Sequence, residues 1–355
     1  MRKNEQVYID FHVIQTVPPS CVNRDDTGSP KTAVFGGVTR ARVSSQAWKK
    51  AMRDMFTQSF PEENVGLRTK TVFDLVADRI SELNPSIKAE KSAEKVLNAA
   101  GIKIKDNKGK IETGALFFIS RGQIEALAQI AAIQENDEFD KEACKKAVKD
   151  TPAIDIALFG RMVADDPSLN FDAAAQVAHA ISTHKVHNEY DYFTAVDDCA
   201  PEDNQGAGHL GTVEYNSSTL YRYATLNATE LMKNLHGDTA SAVRGFADAF
   251  IRSMPTGKQN TFANRTRPDA VYVTIRKDQP VNMAGAFEKP VRAGENGYVE
   301  GSLKALTEYA KETYADYLPQ PEQAFAVGAA LKELAEPMSL KELLDRLEAY
   351  VNEVE

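Results

Sequence analysis

The chain has 355 residues, 43% of them hydrophobic and 26% charged, with a formal net charge of −9; this is ordinary for a globular protein with room for a large core and more than one structural unit. The acidic balance excludes a chain that holds nucleic acid through a generally basic surface, so any polyanion contact must be local, with acidic surface elsewhere limiting non-specific binding. Cys21, Cys144 and Cys199 are too far apart for a disulfide framework or a paired-cysteine metal site and fit a reducing cytoplasm, while the first residues lack the apolar core of a signal peptide and no apolar run approaches the roughly 18 residues of a membrane span.

Residues 7 to 17 alternate, with Val7, Ile9, Phe11 and Val13 on one face and Tyr8, Asp10 and His12 on the other, which predicts a half-buried strand. A polar loop with Arg24, Asp25 and Asp26 follows, and Gly36-Gly37 breaks the chain before a second strand. Thr39 to Arg53 then gathers five positive charges: Arg40, Arg42, Lys49, Lys50 and Arg53. A helix from about Ser45 would place Gln46, Lys49, Lys50 and Arg53 on one face, with Trp48, Ala51, Met52 and Met55 opposite. Ser44 and Ser45 supply cap candidates, and a helix start with free N–H groups beside basic side chains can hold phosphate. A solvated basic helix face is the simpler alternative.

Residues 57 to 150 read as a mostly helical, charged insertion with one hairpin at Ile102–Ile111. Alternation of Ile154, Ile156 and Leu158 predicts a strand ending in Gly160-Arg161-Met162, and residues 172 to 184 read as an Ala-rich helix. Residues 186 to 217 mix aromatic and acidic residues without an apolar period, as functional excursions do. A strand returns at Thr219–Asn227, a helix at about 239 to 253, a polar loop at Lys258–Phe262 and a strand at Val271–Ile275. Near the C-terminus, Ser339 with Glu342 forms a capping box ahead of the stripe Leu340, Leu343, Leu344, Leu347 and Val351. The order predicts an α+β sheet domain with large insertions.

Two patterns are set aside. Gly206 to Gly211 satisfies GxGxxG, but no apolar strand precedes it and Thr212-Val213-Glu214-Tyr215 reads as strand, so it is no dinucleotide site. His179, His184 and His187 lack a suitably placed carboxylate or cysteine, so no metal and no cofactor is expected.

Eight segments in order resemble a known family: Cys21–Asp26, Phe35–Gly37, Arg40–Gln46, Asp155–Met162, Ala178–His184, Phe193–Asp198, His209–Thr212 and Tyr221–Tyr223. Together they look like the CasC-type backbone subunits of the type I-E CRISPR surveillance complex, Cascade, from the first strand to about Ala293. The resemblance implies an RRM-like (ferredoxin-like) palm with a helical fingers insertion and a protruding thumb. The expected division is 1–56 palm, 57–150 fingers, 151–184 palm, 185–217 thumb, and 218–355 palm with C-terminal helices. Copies of a non-catalytic, cytoplasmic subunit would polymerise along CRISPR RNA beside other Cascade subunits, each thumb displacing a nucleotide. The guide would then pair with target DNA, so the protein need read only backbone and shape.

Carried onto this sequence, the resemblance makes Arg24, Arg40, Arg42, Ser44, Gln46, Lys49, Lys50 and Arg53 the phosphate contacts. Tyr192, Phe193 and Val196 become the thumb tip, and Met162 the residue that packs on the displaced nucleotide. Lys258 and Gln259, in the polar loop, are added to the RNA-binding set. Lys141, Lys145, Lys146 and Lys149 form a ridge expected to face DNA, although such ridges are commonly just solvated; the hairpin lysines Lys103, Lys105, Lys108 and Lys110 are assigned nothing. One rival is a metal-dependent nuclease like type III relatives, with Asp25 and Asp26 in the loop after the first strand; otherwise those aspartates cap a turn. The other is a stand-alone RRM-like RNA-binding protein.

Overall fold

The structure, a computed structural model, describes residues 6–133, 138–163, 165–195, 199, 209–235 and 237–355. β1 (Tyr8–Ser20) leads to a hairpin of β2 (Thr32–Phe35) and β3 (Val38–Val43), then α1 (Ser45–Ser59). An inserted segment follows, with β4 (Leu67–Thr69), α2 (Val72–Leu83), α3 (Ala89–Ala99), a hairpin of β5 (Ile104–Asn107) and β6 (Lys110–Thr113), β7 (Phe117–Ile119), α4 (Arg121–Ile133) and α5 (Lys141–Lys149). The chain returns through α6 (Ile154–Phe159), β8 (Ala175–Val177) and β9 (Ala180–Ser182) to a ribbon of β10 (Glu189–Ala195) and β11 (His209–Asn227). Then come α7 (Ala228–Leu235), α8 (Thr239–Arg252), α9 (Gln259–Phe262), β12 (Ala270–Arg276), α10 (Val299–Asp316), β13 (Gln323–Val327), β14 (Pro337–Met338) and α11 (Leu340–Val354).

One large sheet runs β14-β13-β12-β1-β11-β9-β3-β2, antiparallel except for the β13–β14 pair, with β8 and β10 also pairing β11. Ile9, Phe11 and Val13 of β1 pack against Trp48, Met52 and Phe56 of α1, Phe246 and Phe250 of α8, and Leu343 and Leu347 of α11. Each such fully buried side chain contributes about 1.5–3 kcal/mol. Ile14, Tyr221 and Tyr272 pack on the other face against Met283, Phe287, Leu306 and Ala310. The inserted segment closes around its own cluster, including Val76, Ile80, Leu97, Leu127 and Val148. The capping box at Ser339 and Glu342 starts α11 as expected.

β1 is therefore buried on both faces, not one. The alternation was real, but its polar members Asp10 and His12 are buried too. Tyr223 Oη donates to Asp10 Oδ1 at 3.0 Å and the Val281 N–H to Oδ2 at 2.8 Å. His12 Nδ1 lies 2.9 Å from Tyr221 Oη, with the rings of Tyr223 and Tyr272 beside it. Burial raises Asp10 to about 6 despite its hydrogen bonds, and burial, then the Arg276 charge, lowers His12 to about 3. The signs oppose. Asp10 favours the folded state below its unfolded pKa of about 4 and loses that contribution as pH rises towards 6. His12 favours it above about 6.5 and loses it as pH falls towards 3. Between roughly pH 4 and 6 the two proton linkages cancel. Asp10→Asn is expected to unmask His12, so that stability measured by denaturant titration falls by about 1.4 kcal/mol per pH unit of acidification relative to wild type; an identical slope in both proteins would contradict the opposed burial.

Three local expectations are corrected. Residues 154–159 form α6, not a strand: nearly the whole turn is buried, so alternation carried no information there, and Gly160 at φ +74° ends it. The Ala-rich stretch forms β8 and β9, not a helix, because pairing with β11 and β3 overrides alanine's helix propensity. The loop at Lys258 contains the short helix α9, entered through Lys258 at φ +49°.

Candidate nucleic-acid interface

α1 begins where expected. The Ser44 hydroxyl accepts from the Ala47 N–H at 3.3 Å, and the Ser44 N–H donates to Asn23 Oδ1 at 2.9 Å, tying the loop after β1 to the helix start. Trp48 turns into the core, where the Arg222 guanidinium lies 3.8 Å from its ring centroid. Ser44 is thus a buried cap and not a free phosphate ligand.

The basic residues divide by whether their charge is already used. Arg40 is fully buried. Its guanidinium donates to the carbonyls of Phe35 (3.1 Å), Ser182 (2.8 Å), Phe287 (2.7 Å) and Glu288 (3.2 Å). It is a clamp between β3, β9 and the 287–288 segment, so its assignment to phosphate is corrected. Arg53 is also claimed: Nε donates to Asp155 Oδ2 at 2.8 Å and Nη2 to the Gly66 carbonyl at 3.0 Å, with Asp155 fully buried. Arg53→Glu would set two carboxylates together at the edge of the core; a loss of about 3–5 kcal/mol in thermal or chemical unfolding is expected, and an unchanged transition would show the pair to be dispensable. Lys50 pairs with Asp54 on the surface of α1, and Lys145 with Asp166 at 3.3 Å, which removes Lys145 from the α5 ridge. Lys141, Lys146 and Lys149 remain exposed on α5.

Among the described residues, Lys31, Arg42, Lys49 and Arg68 have no carboxylate partner. Arg42 Nη1 lies 3.2 Å from His179 Nδ1. Burial, then the charges of Arg42 and Lys31, keep His179 below its ordinary pKa, so these three stand together at the edge of β3. Lys49 lies over the Phe159 ring at 5.4 Å; burial, then the Arg68 charge, pulls its ammonium below the usual range. Arg53 and Arg68 both lie over Phe118, at 4.5 and 5.3 Å. Arg68 is exposed, as is Gln46 one turn before Lys49. The structure so assembles Lys31, Arg42, Gln46, Lys49 and Arg68 around the start of α1. Lys31 and Arg68 were absent from the sequence set. Lys31 had only its position in the loop to mark it, and Arg68 had no local signal: β4–β7 pairing brings it there.

Met162 is 86% exposed. The neighbouring Arg161 is buried and donates to the carbonyls of Phe118 (3.0 Å), Val148 (2.9 Å) and Leu169 (3.1 Å); this anchor holds Met162 out. The β10–β11 ribbon is exposed along all of β10. In its register Tyr192 faces Thr212, Phe193 faces Gly211 and Thr194 faces Leu210. Tyr190, Tyr192 and Leu210 therefore share one face, and Phe193 lies on the other. The two aromatic tip candidates do not form one wedge. A Cβ at position 211 would stand 2.4 Å from the Phe193 ring, so this glycine serves ring packing. Val196 lies outside the described residues.

A second concavity of about 1220 Å³ is lined by Arg24, Asp25, Asp26, Lys50, Arg265 and Arg267. Lys258 and Gln259 are half-buried just beyond its Gly257 edge. Asp25 Oδ1 accepts from the Thr27 N–H (2.9 Å), the Thr27 hydroxyl (2.7 Å) and the Ser29 N–H (3.0 Å). Those bonds hold its carboxyl below the usual range; it closes a turn. His184 stacks on Tyr298 at 3.6 Å and its Nε2 accepts from the Thr219 N–H at 3.0 Å, which ties that ring to the fold. No helix among the described residues is long and apolar enough to cross a membrane.

No curated protein matches the chain. Among solved structures it is similar to a chain of one described as "CRISPR RNA-guided surveillance complex, pre-nicking", with 34% identity, a TM-score of 0.80, and 97% of this chain and 100% of that chain covered. A second, described as "CRISPR RNA-guided surveillance complex", shares 28% identity with a TM-score of 0.73, covering 97% and 99%. Residues 9–352 match the family described as CT1975-like protein, and the chain belongs to that family.

Proposed function

We propose that this protein is a non-catalytic backbone subunit of a type I-E Cascade complex that holds CRISPR RNA by its phosphates. The observation that carries this is the uncompensated cluster Lys31, Arg42, Lys49 and Arg68 around the start of α1, in an acidic chain similar over nearly its whole length to subunits of RNA-guided surveillance complexes. Neutral and anionic groups elsewhere would limit unspecific adhesion. The strand order β12-β1-β11-β9, with α1 and α8 on one face, supports an RRM-like palm. On this reading the inserted segment is the fingers and the β10–β11 ribbon the thumb. Copies would polymerise along the RNA in the cytoplasm with other Cascade subunits, and the exposed lysines Lys141, Lys146 and Lys149 would face target DNA.

Cutting by Asp25 and Asp26 is the less favoured reading, since Asp25 is bound into its own turn. The test is the native mass of the chain co-expressed with a CRISPR array and its neighbouring genes, with the bound RNA sized and footprinted. A large particle with several copies and periodic protection is expected; a monomer binding RNA discretely would favour a stand-alone module. In the same assay Tyr192→Ala with Phe193→Ala should keep RNA bound but blur the protection period.

A further inference from the structure

One of the three basic side chains at the edge of β3 can change its charge. The Arg42 N–H donates to the Lys31 carbonyl at 2.9 Å, which holds those two residues opposite each other. The Arg42 guanidinium is aimed by its Nε, which donates to the Thr32 carbonyl at 3.1 Å, and its Nη1 lies 3.2 Å from His179 Nδ1. A guanidinium can only donate. Nδ1 is therefore the acceptor and carries no proton, so the ring is neutral with its hydrogen on Nε2. His179 comes from the bend between β8 and β9, pinned by the Ala178 N–H on the Tyr223 carbonyl at 2.9 Å, and the residue is exposed. The charges that act on the ring are Arg42 from β3 and Lys31 from the segment before β2; no carboxylate is among them. Partial burial, then these two charges, disfavours a protonated ring in the free protein.

We propose that His179 is a further phosphate-binding residue: a guide phosphate replaces Nδ1 as the acceptor for Arg42, and Nδ1 takes a proton from solvent and donates to the same phosphate. Without an anion between them, a protonated Nδ1 would face the guanidinium donor to donor, so proton uptake and phosphate binding occur together. The inference rests on the RNA-binding reading and adds to it a dependence on pH. The ring protonates more readily in the complex than in the free protein. Affinity therefore rises as pH falls through the pKa of the complex and levels off below that of the free protein. An opposite charge at this range moves a pKa by about 1–3 units, and each unit is about tenfold in affinity.

The experiment measures binding of a single-stranded oligouridine, whose bases gain no proton in this range, to the full chain at constant salt from about pH 8 to about pH 5.5. Wild type is expected to bind about tenfold tighter at the acid end. His179→Asn, which still offers Arg42 an acceptor but takes no proton, is expected to lose that gain and stay at the weaker level. His179→Arg, charged throughout, is expected to bind tightly with little pH dependence. Position 179 is exposed, so the unfolding transitions of all three proteins should coincide. Asp10, with its pKa raised to about 6, titrates in the same range in all three, and the difference between their profiles removes it. A profile of His179→Asn parallel to that of wild type would overturn the role of His179 and leave the RNA-binding reading standing. No oligouridine binding at any pH would overturn both.

Discussion

Lys49→Glu with Arg68→Glu is expected to weaken single-stranded RNA binding on the order of 100-fold near physiological salt and to flatten its salt dependence. Each phosphate contact to a single strand contributes about 0.7 to the slope of log affinity against log salt, so losing two should reduce it by about 1.4. The pair is chosen because neither cation is claimed by a carboxylate among the described residues and Arg68 is exposed. Lys49 is half-buried along Phe159, so the variant's unfolding transition must be measured alongside. Filter binding or fluorescence anisotropy across a salt series gives the answer. A folded variant with unchanged slope would remove the α1 cluster as the phosphate site. Lys49→Glu with Arg53→Glu would be a poor test, because Arg53 is tied to buried Asp155 and its reversal damages the fold.

Arg40→Ala should damage folding and do little directly to RNA contact. The guanidinium satisfies four backbone carbonyls from β2, β9 and the 287–288 segment. Removing it strands acceptors that each cost about 1–3 kcal/mol when left unpaired, so a loss on the order of 4 kcal/mol is expected. Thermal unfolding or the soluble yield reports it. A variant as stable as wild type, but defective in RNA binding, would return Arg40 to the phosphate set.

These two arginine assignments show where the sequence stops. Arg40 and Arg42 stand two apart in one strand and look equivalent on paper. Both point to one face of β3, as residues two apart in a strand do, but the 287–288 segment covers that face at Arg40, and Arg42 stands half-exposed further along, beside His179. Nothing local distinguishes them, because the groups that bury Arg40 come from residues more than 140 positions away. The same holds for Asp155, which the sequence could not link to Arg53, 102 residues earlier.

Short segments failed for a related reason. Ile154–Phe159 and Ala175–Ser182 are too brief and too buried for periodicity to separate helix from strand. Long, amphipathic ones such as α1, α8 and α11 fell where expected, since one face is solvated along several turns.

The sequence by itself determined the α+β class, the start and faces of α1, the C-terminal cap, and the gathering of five positive charges at Thr39–Arg53 in an acidic chain. These follow from local chemistry: period, capping residues and charge order. Only the tertiary structure decided which cations are free. It spent Arg40, Arg53 and Lys145 on partners from elsewhere in the fold and brought Lys31 and Arg68 to the surface that remained. Whether a charge can meet a phosphate depends on what else has been folded against it, and those partners lie far away in the chain.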